Sequence, residues 1–223
     1  MGPSPRYASI AYDSASKKVT LFGGASLDGG IFNDTWEWND QLWTQVADTG
    51  PSPRAFHKMV YDSKNSKMIL FGGSDNTLYK NDTWEWDGNE WTQVADTGPS
   101  PRILYAMAYN PDNSRIILFG GNDGSPRNNT WEWDGNEWTQ VADAGPSSRY
   151  AHSMVYDSSE NEMILFGGLD ITTVSTVFLG DTWRMRIMFG LKFKIWVLDL
   201  FMLQTWYTLE NEQYSLVVLT ALR

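Results

Sequence analysis

The sequence predicts an all-β fold of repeated four-stranded sheets, and three observations predict it. A lead-in of the form GPS[PS]R begins at Gly2, Gly50, Gly98 and Gly145, at spacings of 48, 48 and 47 residues. Each copy then carries an apolar stretch ending in a glycine doublet (Gly23-Gly24, Gly72-Gly73, Gly120-Gly121, Gly167-Gly168), with a tyrosine 11 residues ahead of the first glycine. In the first three copies Trp-Glu-Trp, a four-residue gap and a third Trp follow, a frame that holds nine of the 12 tryptophans. A long repeat of this kind marks stacked units that each cover a neighbour's apolar face.

The second copy shows how each element arises. Lys58-Met-Val-Tyr61 is a short strand, and the polar run DSKNSK reverses the chain into Met68-Ile-Leu-Phe71. That second strand is apolar on both faces, as a strand covered from both sides must be. The glycine doublet frees the backbone for positive φ or close approach. After a polar loop, Thr83-Trp-Glu-Trp86 alternates and sets both indoles on one face. Asp87-Gly88-Asn89 turns the chain into the fourth strand, Trp91-Thr-Gln-Val94. Four-stranded sheets on this period describe a β-propeller.

The glycine doublet after an apolar strand, the downstream Trp and the Pro-Arg lead-in resemble kelch repeats over about residues 2 to 186. The resemblance implies blades round a central channel, with the strand after Pro-Arg innermost. It divides the chain into kelch blades at 2–49, 50–97 and 98–144, an imperfect blade at 145–186 and an aberrant apolar tail at 187–223. For function it implies partner-binding scaffolds in most settings and enzymes in a few.

The fourth copy departs after its glycines. Its loop lengthens to LDITTVSTVFLG, Arg184-Met185 replaces Glu-Trp, and no WTQV strand follows. Two readings stay open: the chain is a truncated or frameshifted piece of a longer array in an incomplete ring, or the tail supplies the missing outer strand within Phe193 to Leu200 and closes a small ring. An open arc leaves one blade face at each end uncovered, so a homodimer through open blade edges is a further expectation.

Composition excludes several functions. A net charge of −10 repels nucleic acid and anionic lipid, so neither nucleic acid nor membrane is expected as a partner. Met188 to Tyr207 is apolar, but Lys192, Lys194 and Asp199 interrupt it, so no transmembrane helix is expected. The absence of cysteine removes disulfide, thiol and zinc-thiolate chemistry, and with it the Tyr-Cys crosslink of galactose-oxidase-like copper sites. No cofactor is expected, and the compartment is not readable from the sequence.

The loop after strand two and the lead-in to strand one emerge on the same face. There the copies differ, reading ASLDGGIF, SDNTLYK, NDGSPR and LDITTVSTVFLG. Variable loops on a constant frame are where binding residues gather. The candidate contacts are therefore Asp28, Asp75, Asn76, Tyr79, Asn122, Asp123, Arg127 and Asp170, offered to a protein or carbohydrate. Arg54, Arg102 and Arg149, with Arg6, open the first strands near the channel mouth; their forks suit an acidic partner segment, or a structural tie repeated with the framework.

No catalytic set is expected. His57 and His152, at equivalent positions, are expected as hydrogen-bonded framework more readily than as metal ligands. Loops such as Ser74-Asp-Asn76 and Asn122-Asp-Gly124 match no EF-hand. Asn33, Asn81 and Asn128 satisfy the glycosylation pattern by coincidence with the repeat. The alternative to a binding scaffold is a sugar-converting enzyme of the mutarotase kind, for which convergent carboxylates or pKa-shifted histidines at the channel mouth would speak. A fragment with no independent function is the third expectation.

Overall fold

A computed structural model describes residues 2–171, 175–187 and 194–198. All regular structure among the described residues is β-strand, gathered in four four-stranded antiparallel sheets and one two-stranded ribbon. The first sheet is formed by β1 (Tyr7–Asp13), β2 (Lys18–Ala25), β3 (Ile31–Trp38) and β4 (Trp43–Ala47). The second is β5 (Lys58–Asp62), β6 (Lys67–Phe71), β7 (Thr83–Trp86) and β8 (Trp91–Ala95). The third is β9 (Ala106–Asn110), β10 (Arg115–Phe119), β11 (Thr130–Trp133) and β12 (Trp138–Ala142). In each of these the strands lie in chain order, so every connection within a sheet is a hairpin or a short loop.

The fourth copy keeps this architecture by other means. Here β13 (Ser153–Asp157) and β14 (Glu162–Phe166) are followed by a ribbon of β15 (Leu169–Ile171) and β16 (Thr176–Phe178) built from the lengthened loop. The sheet is completed by β17 (Thr182–Ile187) and β18 (Lys194–Leu198). Thus the outer strand comes from the segment after residue 187, inside the Phe193 to Leu200 window, and sets Trp196 opposite Met185. The rest of that segment, 188–193 and 199–223, lies outside the described residues.

Strand β14 begins with Glu162, where β2, β6 and β10 begin with Lys18, Lys67 and Arg115. Those cations pair with Glu37, Glu85 and Glu132 on the third strands. In the fourth sheet the polarity is reversed: buried Glu162 meets Arg184 at 2.6 Å and Arg186 at 2.8 Å. Arg184, which breaks the Trp-Glu-Trp pattern, is one half of a compensated charge exchange.

Sheets pack face to face in chain order, with β1 beside β5, β5 beside β9 and β9 beside β13. The contact between neighbouring sheets is the same each time. The fourth-strand indole of one sheet reaches the preceding sheet: Trp91 donates to Thr35 Oγ1, Trp138 to Thr83 Oγ1 and Trp196 to Thr130 Oγ1, all at 2.9 Å. Beneath each bond the indole meets a phenylalanine edge-on, Phe22, Phe71 and Phe119 in turn, with centroids 5.0 to 5.3 Å apart. Buried Met59, Met107 and Met154 add to the three apolar clusters that result. Such aromatic pairs add to the stabilisation from burial alone.

Candidate functional site

The lead-in arginines are the deepest charges near the loop-bearing face. Arg54 uses all its donors inside the chain: Nε to the Ser52 carbonyl, one terminal nitrogen to the Gly72 carbonyl and Asp82, the other to Ser52 Oγ and Asp82. Arg149 repeats the arrangement with Ser147, Gly167 and Asp181. Arg102 does so with Ser100, Gly120 and Asn129. All three are fully buried. Arg6 bonds Ser4, Gly23 and Asp34 and lies over the Phe32 ring, 3.6 Å from its centroid. Burial alone would raise the Asp82 carboxyl, but the Arg54 guanidinium and the Trp84 indole N–H hold it below its usual value. Asn129 stands where Asp82 and Asp181 stand, and burial lowers Arg102 to about 10. Each guanidinium therefore ties a lead-in to the glycine doublet and the start of the third strand, and Arg54 and Arg149 have no donor left for a partner.

The variable loops are fixed to this frame by isolated bridges, Ala55 to Ser74, Ile103 to Asn122 and Tyr150 to Leu169. Lead-in and loop therefore share one face. Within the loops, Asp75 accepts from the Thr77 and Leu78 N–H groups and pairs with Lys80, which holds its carboxyl well below the usual range. Asn76 takes positive φ beside it, and Tyr79 is exposed. Asn122 Oδ1 accepts from the Gly124 N–H, while Asp123 accepts from Arg127 and from Ser100 Oγ. Asp28 accepts from Ser26 Oγ, and Asp170 from Ser148 Oγ at 3.3 Å. The structure thus gathers the candidates of each copy into a separate internally bonded loop on a common face. Among the described residues no three His, Asp or Glu side chains group as a metal site. Asn33, Asn81 and Asn128 donate to the Asp48, Asp96 and Asp143 carbonyls.

On the inner side of this face the four first strands border a cavity of about 290 Å³, lined by Tyr7–Ser9, Phe56–Lys58, Leu104–Tyr105 and Ala151–Ser153. Sequence reasoning singled out His57 and His152 but missed Phe56, Leu104 and Ala151, which all adopt left-handed backbone, with φ between 56° and 59°. That conformation costs an L-residue roughly 1–2 kcal/mol. At Leu104 it accompanies a cross-copy bond, the Ala151 N–H donating to the Leu104 carbonyl at 2.7 Å. The signal was present in the sequence: Arg54, Arg102 and Arg149 lie seven residues before their tyrosines, whereas Arg6 lies six before Tyr12.

His57, Tyr105 and His152 occupy one structural position, each packed edge-on against the phenylalanine of the preceding sheet. Tyr105 Oη donates to the Phe71 carbonyl and accepts from the Lys58 N–H. The histidine nitrogens have no partner of hydrogen-bond geometry. Burial lowers both imidazoles to about 3, with Arg54 or Arg149 adding to the effect and the Phe22 or Phe119 carbonyl opposing it. They are neutral at physiological pH, and no carboxylate stands among the cavity-lining residues.

A scan against protein-family models and a search of curated proteins each found no match.

Proposed function

We propose that the chain is a kelch-type β-propeller array serving as a non-catalytic scaffold, which holds its variable loops out to a protein or carbohydrate partner. The observation that carries this reading is the bridging of each variable loop to a constant lead-in at the same place in three copies. Sequence variation is thereby confined to side chains on a fixed frame, the arrangement repeat scaffolds use for recognition. The arginine ties, the glycine doublets and the first strands bordering one cavity support the kelch-type arrangement of blades round a channel.

The sugar-converting alternative calls for convergent ionisable groups at the channel mouth. Burial, with the Arg54 and Arg149 charges adding to it, lowers His57 and His152 to about 3, and such an imidazole is a feeble base at neutral pH. The test is a screen of the purified chain against glycan and peptide arrays, followed by Tyr79→Ala and Arg127→Ala. Binding to one array that falls at least tenfold in a loop variant with an unchanged melting temperature is the expected result. Binding to neither array, or binding that no loop variant alters, overturns the proposal.

A further inference from the structure

The contact that joins neighbouring sheets has two unlike halves, and among the described residues one of each is uncovered. On the fourth sheet, Phe166 is the counterpart of Phe22, Phe71 and Phe119, yet it is 56 % exposed where they are 0 %. Thr182 there is the counterpart of Thr35, Thr83 and Thr130, and among the described residues no indole reaches its hydroxyl. A cavity of about 360 Å³ opens beside Phe166, bordered by Ala151, Gly168 and Phe178.

On the first sheet, Trp43 is the counterpart of Trp91, Trp138 and Trp196. It lies against Gly2 as Trp91 lies against Gly50 and Trp138 against Gly98, so the indole is already positioned. Its N–H has no acceptor among the described residues. Ile10, the counterpart of Met59, Met107 and Met154, is 59 % exposed where they are 4 to 7 %. Ala8 stands where His57, Tyr105 and His152 present rings to the preceding sheet, as the close approaches of Gly24, Gly73, Gly121 and Gly168 show. Among the described residues the first and fourth sheets do not pack strand to strand as neighbouring sheets do.

We infer that these surfaces are the two halves of a head-to-tail contact between copies of this chain: the first sheet of one copy seats on the fourth sheet of another. Trp43 donates to Thr182 Oγ1 and packs on Phe166, repeating the contact made three times within the chain. A second copy is the occupant because it carries the matching half of each surface, and the contact is heterologous, since the patches differ.

The experiment is sedimentation velocity of the full chain over a concentration series, alongside Ile10→Lys and Phe166→Glu. Both positions are exposed in the single chain, so the variants retain the fold, which their melting temperatures check. The expected result is a mass at least twice that of the monomer, reduced to the monomer by either substitution alone. Mixing the two variants restores one intact Ile10 to Phe166 contact and returns a dimer that neither forms alone. A full chain that stays monomeric overturns the inference. So does a monomer in which a cysteine placed at position 166 resists labelling, because residues past 198 then cover that face. Assembly indifferent to both substitutions, or a mixture that stays monomeric, overturns it as well.

Discussion

At the scale of single residues, the recurring lead-in arginines of the last three copies are buried and hydrogen-bonded within the chain, while the acidic side chains of the variable loops bond locally. Arg54 is the clearest case. Replacing it by alanine leaves Asp82 and the Gly72 carbonyl without their partner, and the loss is expected to be about 3–5 kcal/mol in urea denaturation. Arg54→Lys should recover only part of this, because one ammonium cannot serve Ser52, Gly72 and Asp82 together. Asp28→Ala, in an exposed loop, should stay within about 0.5 kcal/mol of the parent. The histidines give stability a pH dependence of definite sign. His57 and His152 titrate near 3 in the folded chain but near 6.5 unfolded, so below pH 6.5 the unfolded state binds more protons. Stability is full above that pH and declines towards pH 3 by roughly 1.4 kcal/mol per unit for each imidazole. His57→Tyr and His152→Tyr, copying the residue that fills this position at Tyr105, should flatten the decline when melting temperature is followed against pH. The equivalence of the two histidines was legible in the sequence, but the hydrogen bonds expected of framework imidazoles are not made. The left-handed Phe56, Leu104 and Ala151 were not legible, because a one-residue insertion announces a bulge without saying which peptide turns.

At the scale of elements, every strand of the first three sheets was readable from alternation, apolar runs and turn residues. The fourth sheet shows where that reading stops. Thr182 to Ile187 lacks the Trp-Glu-Trp signature, and its pairing with Lys194–Leu198 depends on side chains that no repeat template contains. Charge exchange explains how the sheet survives: Glu162 and Arg184 have swapped the signs found in the other copies. Glu162→Lys alone therefore sets like charges together on a buried site and should cost about 3–5 kcal/mol. Adding Arg184→Glu should return about half of it, with Arg186 still opposing the new lysine, and a double-mutant cycle on denaturation midpoints measures the coupling. The ribbon of β15 and β16 was also illegible, because in the repeat frame LDITTVSTVFLG reads only as a lengthened loop until its own backbone pairs.

At the scale of the whole molecule, the packing is sequential, each sheet secured to the next by one indole, one threonine and one phenylalanine. Stability should then be a sum of sheet and neighbour terms. Trp138→Ala, which empties the contact between the second and third sheets, should cost about 3–5 kcal/mol and split a single unfolding transition into two, read by comparing tryptophan fluorescence with circular dichroism. That the chain is all-β and built of repeated four-stranded sheets follows from the period near 48 and the glycine doublets, whereas the completion of the fourth sheet by β18 does not. Which residues lie uncovered on the first and last sheets is not readable from the sequence, because exposure at Ile10 and Phe166 is a property of the assembled stack. The reversed pair in the fourth sheet also bears on how the chain avoids misassembly. Residues 83–94 and 130–141 are identical, so during folding either third strand can pair with the other's sheet without penalty. A strand of that sequence straying onto β14 would bring a glutamate against Glu162, whereas Arg184 and Arg186 of its own strand satisfy it. The inverted charges act as a key that reserves the last sheet for its own strand, so the register of the most divergent copy constrains the assembly of the others.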